Sequence, residues 1–261
     1  MKKILQNCYL AIIFLFLYAP IAVLMIFSFN DNKSRVRWYG FTLDWYVELF
    51  QDSQILNSLY VTLVVALAAA VISTLLGTVA AMGIHCMKRR SKTVYLTLNN
   101  IPMSTSDTIM GVTFMLLFAA LSLPKGYLTL ILAHTTFCTP YIFMLVKGRL
   151  AGMDSNLESA ARDLGASPAK AFFTVTLPLI LPGVLSGVML AFAMSMDDFV
   201  ISFFVTGSNV NPLPLVIYSS VKTGVSPQVN ALCTLILLFV FVVAGVSLFG
   251  PARKKNMEVR K

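Results

Sequence analysis

Long uninterrupted apolar runs constrain this chain more than any other feature. A helix that crosses the hydrocarbon layer of a bilayer needs about 20 such residues, because that layer is roughly 30 Å thick and each residue rises roughly 1.5 Å. Six stretches qualify: Cys8–Phe29, Leu59–Met87, Thr108–Leu123, Tyr127–Val146, Leu179–Thr206 and Ala231–Phe249. The third is the shortest, and its helix has room to begin earlier, near Ile101. Of the 261 residues 57% are hydrophobic and only 12% are charged, whereas a soluble domain carries about 25% charged residues. The expected fold class is therefore an all-α polytopic membrane protein with six transmembrane helices, a single domain over residues 1–261. Pro20, Pro140 and Pro182 fall inside the expected spans and predict kinks there.

The charge that remains sets orientation. A net charge of +9 raises the possibility of nucleic acid, but the basic residues lie between apolar runs rather than on one patch. The amino terminus, Lys88 to Lys92, Lys147 to Lys170 and the carboxyl tail together hold 15 of the 20 Lys and Arg residues. The remainder are Lys33, Arg35, Arg37, Lys125 and Lys222. By the positive-inside rule the richer set is cytoplasmic, which puts both termini inside, as an even number of spans requires. Met1-Lys2-Lys3 ahead of the first run has the outline of a signal peptide. That run is too long for one and lacks an A-x-A site, so it is read as an uncleaved span.

The first external loop, Asn30 to Gln54, holds Trp38, Tyr39, Trp45 and Tyr46, rings that favour the lipid–water boundary, and a short interfacial helix is expected at Leu43–Leu49. The four cysteines, Cys8, Cys86, Cys138 and Cys233, are scattered singly, which suggests packing and neither a disulfide framework nor a metal knuckle. His85 beside Cys86 and His134 four residues before Cys138 are too few ligands for a metal site and read as core or interface histidines. No Ser, His and acid arrangement stands out as catalytic, and no cofactor motif is present.

The loop after the fourth span is patterned as two short helices. Ser155-x-x-Glu158 is a capping box, Gly165 is a natural stop, and Ser167-Pro168 begins a second helix that feeds into the fifth span. Leu157, Ala160, Ala161 and Leu164 share one face of the first helix. A small, mildly apolar face of this kind suits a shallow cleft on another protein; packing against the ends of its own spans is the alternative.

This segment resembles the EAA loop of permease subunits of binding-protein-dependent ABC importers, E-A-A-x-x-x-G-x9-I-x-L-P. Ala160, Ala161 and Gly165 match, as do Leu177 and Pro178, with Val175 in place of Ile. The glutamate slot holds Ser159, and the nearest acid is Glu158, one residue earlier. Around Asn57-Ser-Leu, Ala133 to Pro140, Leu190 to Phe199, Phe204 to Gly207 and Gly224 to Leu232 the chain is similar to spermidine/putrescine permeases, in particular the C-type membrane subunit. The resemblance implies a type I importer fold, a heterodimer with a homologous permease, two cytoplasmic ATP-binding subunits and an extracytoplasmic polyamine-binding protein. It also implies a bacterial inner membrane and ATP hydrolysis in a partner; the absence of a G-x-x-x-x-G-K-[ST] loop agrees with that division. Related importers of an opine, an aminophosphonate or ferric iron share the architecture, and a secondary transporter is a more distant alternative.

Carboxylates within apolar runs are costly, about 2.5–3.5 kcal/mol at the bilayer centre on insertion scales, and are functional candidates. Asp107 lies near the start of the third span, and Asp197 and Asp198 near the outer end of the fifth. With Phe199, Phe203 and Tyr218 as aromatic faces they suit a polycation moving inwards past acids at two depths. Lys222, four residues after Tyr218, would share its helix face and suit an external gate. Two other readings stay open: Asp107 caps a helix, and the aspartate pair starts a helix in the external loop or meets Lys222.

Overall fold

A computed structural model describes residues 2–32, 37–154, 156–224 and 226–249. The expected capping residue Ser155, the loop cations Lys33 and Arg35, and the carboxyl tail lie outside the described residues. Within them the chain is helical, with one isolated antiparallel bridge between Asn30 and Phe41 and no strand. In order the helices are α1 Lys2–Phe27, α2 Asp44–Gln51, α3 Ser53–Cys86, α4 Arg89–Ser104, α5 Asp107–Ala120, α6 Tyr127–Ala151, α7 Asn156–Asp163 and α8 Pro168–Ala171. A π-helical turn, Phe172–Thr176, then leads into α9 Leu177–Asp197, followed by α10 Val200–Val205, α11 Leu213–Thr223 and α12 Pro227–Phe249.

Four segments among the described residues are long and apolar enough to cross a membrane: Leu5–Phe27, Ser53–Ile84, Tyr127–Ala151 and Pro168–Asp197. They match the first, second, fourth and fifth expected spans. The expected third span is different. At 14 residues α5 is only about 21 Å long, too short to cross alone, and α4 joins it at a bend of 106°. The pair is a broken span or a re-entrant element: α5 is the helix expected at Thr108–Leu123, and what the bend rules out is a straight start near Ile101. The fifth span also ends earlier than expected. Asp198 is extended, with φ −65° and ψ 115°, and α10 begins after it. The sixth expected span coincides with α12, whose helix begins four residues earlier, at Pro227.

The helices fall into two compact units, Met1–Leu56 with Ile217–Lys261, and Asn57–Val216. In the first, α2 packs on α12, and Glu48 accepts a 2.8 Å hydrogen bond from the Gln228 amide. The expected interfacial helix is α2, one residue later than Leu43. The indole of Trp45 donates to the Asn30 carbonyl at 2.7 Å and the Tyr46 hydroxyl meets Ser28 Oγ at 2.7 Å. These rings tie the loop to the end of α1.

The second unit holds the main buried core and is organised around α6 against α9. Gly183, Gly187, Ala191 and Ser195 recur every fourth residue along α9, and all four are buried. Small side chains at this spacing let two helices approach closely, which in lipid is a principal source of packing energy. A Cβ on Gly187 would sit 3.1 Å from Ile142 Cγ2, and one on Gly183 would sit 2.5 Å from Arg149 Cγ. Larger residues would push α6 away. At the other end of α9, α10 packs on α5 and α6. Gly111 makes room on α5 for the Phe204 ring, which a Cβ there would meet at 2.5 Å.

Candidate functional site

Two places in the second unit gather the residues singled out from the sequence. The first lies where the breaks on either side of α5 and α9 meet. α5 starts at Asp107 and α9 ends at Asp197, so the start of one helix and the end of the other open onto one cavity of about 370 Å³. Asp107, Asp197, Asp198 and Phe199 line it with Phe137, Tyr141, Met110, Met194, Val200 and Pro102. The three acids thus line one pocket. The reason is the break before α5, which brings its first turn to the end of α9.

Each acid is held differently. Asp107 is exposed in the first turn of α5, where the helix dipole favours a negative charge. The N-cap position belongs to Ser106, and no side-chain cap bond forms there. Asp197 is also exposed. Asp198 is the structured member. Its Oδ1 accepts from the Ile201 N–H at 3.2 Å and its Oδ2 from the Ser202 N–H at 2.8 Å, so it starts α10 in the manner of an N-cap. Its Oδ2 also lies 3.4 Å from His134 Nε2, and its side chain is 8% exposed. The reading in which the aspartate pair starts a helix is therefore correct for Asp198, which lines the pocket as well.

Phe203, on α10, does not line the pocket; it is 57% exposed and its ring stands 5.8 Å from that of Phe199. Tyr218 and Lys222 belong to the other unit. They do share a helix face, with the Lys222 ammonium 4.8 Å from the centre of the Tyr218 ring.

The sequence showed no connection between His134 and residues 61 or more positions away, but the fold makes one. His134 Nδ1 is 2.6 Å from Ser195 Oγ, and Nε2 is 3.0 Å from Ser202 Oγ. A Ser, His and Asp set does assemble here. Ser195, Ser202 and His134 are all buried, so neither hydroxyl is open to a substrate and the set reads as interhelical bonding. Among the described residues no three His, Cys, Asp or Glu side chains converge as metal ligands. The side chains of His85 and Cys86 are outside the description.

The second place is the segment from α7 to the start of α9. Gly165 adopts φ +87°, a left-handed conformation that favours glycine. The Ala166 N–H reaches the Ala161 carbonyl and the Gly165 N–H reaches that of Arg162, a Schellman stop to α7. Ser167 Oγ accepts from the Lys170 N–H at 3.3 Å with Pro168 in the first turn of α8, as the pattern predicts. At the other end of α7 the Asp154 carboxylate takes the Asn156 N–H at 2.9 Å. Glu158 reaches in a different direction: its Oε2 accepts a 3.3 Å bond from the Thr176 hydroxyl, in the π turn at the foot of α9. Leu177 and Pro178 open α9, and Leu177 packs on the core.

The apolar stripe of α7 stays largely uncovered by the unit. Leu164 is 90% exposed and Leu157 43%; Ser159 and Ala160 are exposed too, while Ala161 is half-buried. Only Ala161 fits the alternative in which the stripe packs against its own spans.

Comparison with known proteins places this geometry in a family. Residues 73–254 match the model for the binding-protein-dependent transport system inner membrane component. The putrescine transport system permease protein PotI of Escherichia coli K12 is 40% identical over 254 residues, covering 95% of this chain and 90% of the relative. The spermidine/putrescine transport system permease protein PotC of Haemophilus influenzae is 37% identical over 252 residues, 97% of each. Among solved structures, a bacterial ABC transporter that imports the acidic polysaccharide alginate superimposes with a TM-score of 0.72 at 15% identity, over 97% of this chain and 95% of that one. The same kind of transporter with pentasaccharide-bound periplasmic protein gives 0.69 at 16% identity, over 93% of both chains. An all-helical chain with several membrane-crossing segments and a match of this extent belongs to the inner-membrane permease family of binding-protein-dependent ABC importers.

Proposed function

We propose that this chain is one of two permease subunits of an ATP-driven polyamine importer. It forms half of the solute path through an inner membrane, with a homologous permease as the other half, two ATP-binding subunits beneath and an extracytoplasmic polyamine-binding protein as donor. Six spans with both termini cytoplasmic is the arrangement that the basic loops support.

The observation that carries the solute assignment is the pocket. Three carboxylates and three aromatic rings, Phe137, Tyr141 and Phe199, line one cavity of about 370 Å³. Clustered carboxylates attract ammonium groups, and ring faces hold the same cations without a fixed counter-charge. An aminophosphonate would meet repulsion there. Ferric iron would call for a converging ligand set, and none exists among the described residues. The polyamine names of PotI and PotC point the same way.

The coupling element is Glu158 to Pro178. The exposed face of α7 docks in a cleft of the ATPase, and motion passes through the Glu158–Thr176 bond into the foot of α9. Closure of the ATPase dimer then switches the pocket from inward-facing to outward-facing, each state being the one favoured by nucleotide or its absence.

Purification of the chain in mild detergent, followed by reconstitution with the proteins that travel with it, tests the reading. ATP-dependent uptake of labelled putrescine or spermidine, competed by the unlabelled amine, is expected. Uptake indifferent to polyamines sinks the solute assignment, and transport by the chain alone without ATP sinks the whole proposal.

A further inference from the structure

His134 lies on α6 at 2% exposure and faces polar groups from the end of α9, the break after it and α10. A buried imidazole is destabilising unless both nitrogens find partners, and here both do. In the tautomer that gives the Asp198 carboxylate a donor, Nε2 carries the proton and points between Ser202 Oγ at 3.0 Å and Asp198 Oδ2 at 3.4 Å, while Ser195 donates to Nδ1. An apolar residue of similar size would fill the space with no such requirement. The polar set therefore does something that packing alone does not need.

What it does follows from the other bonds to Asp198. The N–H groups of Ile201 and Ser202 hold the carboxylate to α10, which itself packs on α6 and whose Val205 carbonyl accepts from the Thr129 hydroxyl of that helix at 2.9 Å. The 3.4 Å approach of His134 Nε2 ties the carboxylate group itself, and not only the backbone that carries it, to α6. That helix carries Phe137 and Tyr141, the aromatic wall of the same pocket, and the Phe137 ring packs edge-on to the imidazole at 5.4 Å. Remove the imidazole and the carboxylate keeps its place on α10 but loses its direct tie to the helix that carries the rings.

We propose that His134 is a positioning residue for the carboxylate pocket, holding the Asp198 charge at a fixed place opposite the α6 aromatic wall so that a passing ammonium group meets both together. This rests on the pocket being the solute path. The Nε2–H has two acceptors, so it stays bonded to Ser202 Oγ when an ammonium draws Asp198 Oδ2 away. The contact, at 3.4 Å, yields without leaving a buried donor unpaired.

The test uses the reconstituted importer, with uptake of labelled putrescine expressed per assembled complex. His134→Gln keeps an N–H near the place of Nε2, whereas His134→Asn is one methylene too short to reach Asp198, and His134→Leu has no polar group. The Gln variant is expected within about threefold of the parent and the Asn and Leu variants about tenfold or more below it. In an Asp198→Asn background the Leu substitution should add little, because the partner it positions is already altered. If Leu costs its full factor in both backgrounds, or if Gln and Asn are equally poor, His134 is a structural residue and the inference fails while the pocket stands. If Asp198→Asn itself transports like the parent, the pocket reading fails and takes the inference with it. Should the Leu variant not assemble, the contrast between Gln and Asn decides.

Discussion

Asp197 and Asp198 are neighbours in sequence with different tasks. Asp198 accepts two backbone N–H groups and faces His134, while Asp197 is exposed at the last turn of α9. Replacing Asp197 by Asn removes a charge and disturbs little else. Uptake of putrescine should fall about tenfold, equivalent to about 1.4 kcal/mol, with assembly unchanged. Asp198→Asn should lower uptake at least as far, because it alters the charge and the hold on it together, and should reduce yield only modestly since Asn remains a good cap. Co-purification of the partner subunits measures assembly, and unchanged uptake in both variants would remove the pair from the path. Sequence made these acids visible because a carboxylate inside an apolar run is conspicuous. It could not make His134 visible: a lone histidine carries no mark of partners 61 and 68 residues away.

Helices and breaks decide the next scale. Gly165 sits at φ +87° with its N–H bonded to Arg162. Proline there would fix φ near −65° and delete the donor. Gly165→Pro is expected to insert normally but to lose ATPase binding and uptake; a variant that keeps both would remove α7 from coupling. Thr176→Val keeps shape and deletes the hydroxyl that Glu158 accepts. Glu158 is partly solvated, so the local loss is at the lower end of a charge-assisted bond, about 1.5 kcal/mol. More ATP should then be hydrolysed per solute moved, and an unchanged ratio would show that the bond transmits nothing. The two-helix pattern of this loop was legible because Schellman glycines and Ser-Pro caps act within one turn of chain. The bond from Glu158 to the π turn was not, since it joins residues 18 apart across a bend. The stripe Gly183, Gly187, Ala191, Ser195 was present in the sequence at the spacing that small interface residues favour, and inspection every fourth position would have found it.

For the molecule as a whole, orientation is the open proposal that labelling can settle. Single cysteines placed at Ser159 and Lys125, in a chain whose own cysteines are replaced, should react with impermeant reagents from opposite sides of the membrane. Ser159 is expected to face the ATPase side, and reaction of both from one side would contradict the arrangement. Composition and run length determined that this chain lives in a bilayer and is helical there, because unpaired backbone groups cannot be left in hydrocarbon. The same logic gave the first, second and fourth spans to within about six residues at each end, and the fifth displaced by about ten. Only the tertiary structure decided that a 106° bend separates α5 from the helix before it and that the fifth span stops at Asp197. The reason is physical: an apolar run records only how much of the chain prefers lipid to water. Where a helix breaks depends on whether other groups are in place there: Asp198 takes the N–H groups that open α10, and His134, 64 positions away, faces its charge.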